Sequence, residues 1–246
     1  MGFDLANRFV IAVSSRAVLD LSKENRLFEW KGTRFFNEYQ TRHRDRPPDP
    51  GPAFPLVQSI LALNQLVDGR PIEVVLMSKN SPSASIRVHK ALESHRIDIQ
   101  RSWFTSGDPV SGYLQSANVD LFLSADPADV KSAHASGIAA ALIHGVPKQQ
   151  DSTPSEQVRI AFDGDAVLFA EESERIYKEH GLAEFQRHES ERASEPMADG
   201  PFARVYRALG DLRKALPDEE SWRIKIGLFT ARNAPSHMRV LETVES

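Results

Sequence analysis

The stretch "VRIAFDGDAVLFAEESE" (Val158–Glu174) sets two aspartates, Asp163 and Asp165, on either side of one glycine at the end of an apolar run. A short apolar run bounded by turn residues reads as a strand. Like charges this close repel each other and gain nothing from packing, so a cation is expected between them. Asp and Gly also build ordinary turns that need no further role. A calcium loop is a third reading, because Glu174 falls twelfth counting from Asp163. It fails in detail: Leu168 stands where that loop needs glycine, Val167 where it needs a ligand, and the preceding flank is a strand instead of a helix.

Outward from this point, strands and helices alternate. "RFVIAVSSRAVLDL" (Arg8–Leu21) opens with a strand, and "RHRDRPPDPGPAFP" (Arg42–Pro55) is a proline-rich connection. Leu56, Val57, Ile60, Leu61, Asn64 and Val67 mark one helical face. "PIEVVLMS" (Pro71–Ser78) is a strand, "SIRVHKALESH" (Ser85–His95) an amphipathic helix and "VDLFLSAD" (Val119–Asp126) a strand with a polar end. A helix from Pro127 then gives way to a small-residue strand before Ile143. "KQQDSTPSEQ" (Lys148–Gln157) reads as a linker. Beyond the aspartates come a helix over Glu171–Glu179, a helical face from Phe202 to Leu216, a strand within "WRIKIGLFTARNAP" (Trp222–Pro235) and a last helix from about Ser236. Such alternation predicts an α/β fold with a largely parallel, helix-covered sheet, whose ligands bind at the carboxyl ends of strands. Asp163 and Asp165 occupy such an end.

The second half reads as a repeat of the first. "VIAVSSRAVLDL" lies over "RIAFDGDAVLFA" with Ala17, Val18 and Leu19 against Ala166, Val167 and Leu168, and "IEVVLMSKNSP" lies over "IKIGLFTARNAP". Ser14 to Ser78 spans 64 positions and Asp163 to Thr230 spans 67. The first copy carries Ser14 and Arg16 where the second has Asp163 and Asp165, so the first is expected to be scaffold and the second active. The expected division is 1–150 for the amino-terminal α/β half and 158–246 for the catalytic half.

At a strand end, an aspartate can attack phosphorus and form an aspartyl phosphate. A second one two residues on can protonate the leaving alkoxide and then activate water. A magnesium ion held by a carboxylate and a phosphate oxygen would supply the expected cation.

"FDGDAVLF" followed by a strand ending in "LFTAR" resembles the haloacid dehalogenase-like superfamily. The strings "VIAVSSRAVLD", "LFLSAD", "GIAAA", "RIAFDGDAVLFAEESERI", "HGLAEF" and "TAR" are similar to one branch, the cytosolic 5'-nucleotidase type I family. That resemblance implies a Rossmann-like parallel sheet with an inserted helical cap at about 171–221, preceded by a degenerate copy of the same unit. It implies Mg2+-dependent hydrolysis of nucleoside 5'-monophosphates, with Asp163 as nucleophile, Asp165 as general acid/base, and both contributing to the magnesium site. Thr230 resembles the phosphate-binding hydroxyl, assisted by the backbone of Ala231. Phe185 and Phe202 are placed where an aromatic could stack on a base, although core packing suits them better.

The superfamily pattern also needs a lysine and a further acidic strand end after Thr230, and 16 residues follow it. Asp126 lies 48 positions past Ser78, which projects the acidic motif to about position 278. The sequence then reads as truncated, leaving three outcomes: an inactive chain, parts supplied by another subunit, or Lys79 and Asp126 standing in. An incomplete half would expose sheet edge and favour a homo-oligomer.

Composition narrows the rest. The charge of −4 argues against a nucleic-acid partner, and the lack of cysteine excludes disulfides and thiolate sites. No signal peptide or membrane helix is legible, so a cytoplasmic protein is expected. His180, Glu184 and His188 share a helical spacing, but histidines eight apart lie about 12 Å apart along the axis, too far for one ion. The rival readings are a non-catalytic nucleotide-binding scaffold and a phosphatase of another small ester such as a sugar phosphate.

Overall fold

The computed structural model describes residues 5–145, 156–230, 232 and 237–245. The chain divides into two compact units, Met1–Val158 with Ala215–Glu220, and Arg159–Lys214 with Ser221–Ser246. The linker expected at Lys148–Gln157 lies mostly outside the described residues.

In the first unit β1 (Phe9–Val13) is central. It pairs in parallel with β2 (Ile72–Ser78), Phe9 opposite Ile72, and with β4 (Leu121–Ser124), Ile11 opposite Leu121. β3 (Arg101–Phe104) and β5 (Ala139–Leu142) complete the order β3-β2-β1-β4-β5. Every residue of β1, β2 and β4 is buried, which is why these strands read as unbroken apolar runs. Val10, Ala12, Val75, Met77, Phe122 and Ala140 form the core on one face with Leu114 and Ala133. These last two come from the short α5 (Ser111–Leu114) and from α6 (Pro127–Ala135). Strand order reverses between β1 and β4, so the polar residues past those strands stand at the switch point where such sheets take ligands.

Between β1 and β2 run α1 (Ser15–Val18), α2 (Ser22–Arg42) and α3 (Phe54–Ala62); α4 (Pro82–Ser94) links β2 to β3. Gly32 interrupts α2 at φ 75°, a left-handed conformation that favours glycine.

The second unit repeats this plan on a smaller sheet. β6 (Val158–Asp163) and β7 (Ile224–Phe229) pair with each other, and the α-helices of this unit among the described residues are α7 (Glu172–Glu191), α8 (Ala203–Ala215) and α9 (His237–Glu245). The helix expected over Glu171–Glu179 runs on to Glu191, broken at Gly181 with φ 80°. Ser173 Oγ donates to Glu189 Oε1 at 2.7 Å. Residues 16 apart on a straight helix would be separated by about 24 Å, so the chain doubles back at Gly181 into a helical hairpin. In the first unit the same fold-back brings the rings of Phe28 and Phe36 to 5.7 Å; in the second, Tyr177 and Phe185 sit 6.1 Å apart.

Backbone hydrogen bonds fix how the two units correspond. Gly51 N–H donates to Val18 O and Ala53 N–H to Ala17 O; Gly200 donates to Leu168 O and Phe202 to Val167 O. Ala17 and Val18 therefore answer to Val167 and Leu168, one residue later than the sequence overlay has them. The second unit holds one extra residue in the turn after its strand, and that turn is the one carrying the aspartates. Gly51 and Gly200 match for a steric reason: an added Cβ would fall 2.7 Å from Leu19 N and 2.5 Å from Val167 O, respectively.

Candidate active site

The apolar residues of β6 bring the chain to Asp163, and the next turn is tightly pinned. Gly164 N–H donates to Phe229 O at 2.9 Å, joining the ends of β6 and β7. Leu168 and Phe169 N–H groups both donate to Gly164 O. The Phe169 ring crosses Gly164 so closely that a Cβ there would come within 3.3 Å of it. The positive φ of this turn belongs to Ala166, at 59°, in place of the glycine. A non-glycine residue held left-handed costs of order 1 kcal/mol and persists only where its surroundings fix it.

Asp163 ends β6, Asp165 lies in the turn after it, and Thr230 follows β7, whose end the Gly164 hydrogen bond joins to that of β6. Asp163 and Thr230 are exposed, and the Asp165 side chain is 30% exposed. Among the described residues no hydrogen bond or ion pair engages the Asp163 carboxylate. Ala231, the expected backbone partner for phosphate, lies outside the described residues.

Three charged residues to which the sequence reading gave no role complete the arrangement: Arg232, Glu189 and Arg239. Arg232 N–H donates to Thr230 Oγ1 at 3.2 Å. Its Nε donates to Asp165 Oδ1 and Oδ2 at 3.1 and 3.2 Å, and its Nη2 to Oδ1 at 2.5 Å. Nη1 donates to Glu189 Oε2. Glu189, wholly buried, also accepts from Arg239 Nη1 at 3.0 Å and lies 3.1 Å from His188 Nδ1. Burial alone would raise the Glu189 carboxyl; the Ser173 hydrogen bond, Arg232, Arg239 and His188 outweigh it and hold it below the ordinary range. Burial alone would lower Arg232; the hydrogen bonds and charges of Asp165 and Glu189 outweigh it and raise the guanidinium above its ordinary value. The only sequence trace of Arg232 is the last letter of "TAR".

Other candidates find different places. Phe185 packs on Tyr177, and the Arg232 guanidinium lies 5.4 Å from its ring centre; Phe202 meets Phe162 at 6.4 Å. His180 and His188 lie on opposite sides of the Gly181 break, and Glu184 binds Arg187. Lys79 is paired with Asp129, while Asp126 caps α6 by accepting from Ala128 N–H at 2.9 Å, so both are engaged inside the first unit.

Among the described residues, no group of three or more His, Cys, Asp or Glu is placed to hold a metal. The Asp163 carboxylate nevertheless offers a hard oxygen donor, and Asp165, its carboxylate taken by Arg232, offers its backbone carbonyl. Mg2+ is commonly held by one or two carboxylates together with water and substrate phosphate, so this donor set fits it.

A family model described as 5'-nucleotidase matches residues 1–246. The chain belongs to the 5'-nucleotidase family. It is 34% identical over 248 residues to cytosolic 5'-nucleotidase 1B of Homo sapiens, covering 97% of this chain and 40% of that protein. The chain thus spans about two fifths of the length of this curated relative. Among solved structures, the HAD domain of effector protein Lem4 from Legionella pneumophila superposes with a TM-score of 0.36 at 12% identity, over 58% of this chain and 88% of that one. An overlap so slight carries no argument about fold. In this member of the 5'-nucleotidase family Asp163 ends β6, Asp165 follows in the next turn and Thr230 follows β7. Among the described residues, no helix is long and apolar enough to cross a membrane.

Proposed function

We propose that the chain is a phosphoric monoester hydrolase that releases phosphate from nucleoside 5'-monophosphates, with the chemistry in the second unit. The observation that carries this reading is the pairing of an exposed, unengaged Asp163 with a fixed Asp165 at the end of β6, in a chain of this family. Asp163 attacks phosphorus, forming an aspartyl phosphate as the bond to the nucleoside oxygen breaks. Asp165 gives that oxygen its proton, then takes one from the water that opens the acyl phosphate. Thr230 Oγ1 donates to a phosphate oxygen. Mg2+, held by the Asp163 carboxylate and the Asp165 backbone carbonyl, would neutralise phosphate charge and keep the nucleophile ionised. The α7 hairpin and α8 occupy the place of a cap over the substrate.

Phosphate release from AMP and from ribose 5-phosphate, with and without Mg2+, tests the reading. Release should require Mg2+, favour AMP, and fall by about three orders of magnitude or more in Asp163→Asn. Equal release from the sugar phosphate would remove the nucleotide from the proposal. Unchanged release in Asp163→Asn would remove the site.

A further inference from the structure

Arg232 lies two residues past Thr230, and an arginine there has two jobs open to it: to bind the substrate phosphate or to hold a carboxylate. The geometry separates them. Its side chain is 2% exposed. One edge of the guanidinium fork, Nε with Nη2, is spent on Asp165, and Nη1 is spent on Glu189. The Phe185 ring lies 5.4 Å from the guanidinium carbon. A phosphate would have to displace a carboxylate from a buried cation to reach it. Two N–H groups from one rigid plane fix both the position and the rotation of a carboxylate, which a single ammonium cannot do.

The first unit shows the same frame without a charge at the position of Arg232. Asn80 stands two residues past Ser78 as Arg232 does past Thr230, and its amide donates to Ser15 Oγ at 3.2 Å. Where Glu189 closes the second unit's hairpin, the first has Gln40, which accepts from Arg87 at 3.0 Å. Glu189 answers Arg239 as Glu24 answers Arg87 in the first unit, whereas the Arg232 charge has no counterpart there, neutral Asn80 standing in its place.

We propose that Arg232 is a positioning residue that holds the Asp165 carboxylate in its working orientation, and that Glu189, from the α7 hairpin, holds Arg232 in turn. This rests on Asp165 being the general acid/base of the proposed reaction. A misplacement of about 1 Å at such a group can cost on the order of 100-fold in rate.

The test is steady-state AMP hydrolysis by Arg232→Gln, Arg232→Lys and Glu189→Gln, with each melting temperature measured alongside. Arg232→Gln should lower kcat by about 10- to 100-fold with KM changed less than about threefold. Arg232→Lys keeps a cation between two carboxylates but loses the fork, so it should fold, melt within a few degrees of the parent, and recover part of the lost kcat. Glu189→Gln should lower kcat less than Arg232→Gln does. In an Asp165→Asn background, adding Arg232→Gln should cost little more, because the two act through one group. A rise in KM at constant kcat, or a full additive loss in that background, would overturn the proposal in favour of direct phosphate binding. If Arg232→Gln does not fold, Arg232→Lys decides alone, and an unchanged kcat overturns the proposal. Asp165→Asn with full turnover would mean that the acid/base assignment has failed; a dead Asp165→Asn beside a fully active Arg232→Gln would sink only the positioning role. One arm needs no turnover: in 1H–15N spectra of the ligand-free chain, the Arg232 Nε–H resonance should move on Asp165→Asn substitution. No movement would contradict the pairing itself.

Discussion

The two units solve one structural problem with the same parts and different charges. In each, a helical hairpin reverses at a glycine and is tied down by one arginine from a later helix: Arg87 from α4 in the first, Arg239 from α9 in the second. Each arginine also donates through Nε to a backbone carbonyl just past the hairpin, Arg46 O and Glu195 O. The carboxylate that answers the arginine has changed arms. In the first unit it is Glu24, on the entering arm, facing neutral Gln40. In the second it is Glu189, on the leaving arm, facing neutral Ser173. Moving the charge to the leaving arm puts it within reach of Arg232 and, through Arg232, of Asp165. A buried arginine needs a carboxylate nearby; which arm supplies it is free to serve a second purpose.

The comparison breaks most visibly in the first unit. Glu24→Ser leaves Arg87 buried without a carboxylate, and should cost about 3–5 kcal/mol in urea unfolding. Adding Gln40→Glu copies the second unit's arrangement and should restore most of that loss. No recovery in the double variant would mean that the two arms are not interchangeable.

A smaller effect sharpens the other side. Glu189 is held below its ordinary value in the folded chain, so its contribution is present above the unfolded carboxyl value near 4.5 and is lost as pH falls below it. The melting temperature of the parent should therefore drop by a few degrees more than that of Glu189→Gln between pH 6 and pH 4. Parallel curves would show that Glu189 carries no such linkage.

Much of this was legible in the letters because buried parallel strands are written as apolar runs: β1, β2 and β4 stand out for that reason, while β6, of which only Val158 and Phe162 are buried, stands out by the aspartates that follow its apolar letters. The 21 residues of α2 did not, and the cause is physical. Its buried residues are polar, Glu24 and Gln40, while Phe28, Trp30 and Phe35 are exposed, Trp30 by 79%. No apolar stripe marks its inner face. β3 was missed because "RSWF" is an edge strand, half-buried throughout, with no alternation. In the site, Asp163, Asp165 and Thr230 could be found from local pattern and resemblance. Arg232 meets its partners across 67 and 43 positions, and ion pairs at such separations leave no period in a sequence. The one-residue slip in the overlay of the two halves has the same origin: the extra residue sits in the turn with Ala166, and only the hydrogen bonds to Gly200 and Phe202 reveal it.

The central claim is that the second unit carries the chemistry and that Asp163 forms the covalent bond. The most direct measurement is an acid quench during turnover of AMP labelled in its phosphate, followed by borohydride reduction of the acyl phosphate and peptide mapping. The label should fall on Asp163 alone and be absent from Asp163→Asn. Label on any other residue, or phosphate release with no trapped intermediate at any quench time, would contradict it.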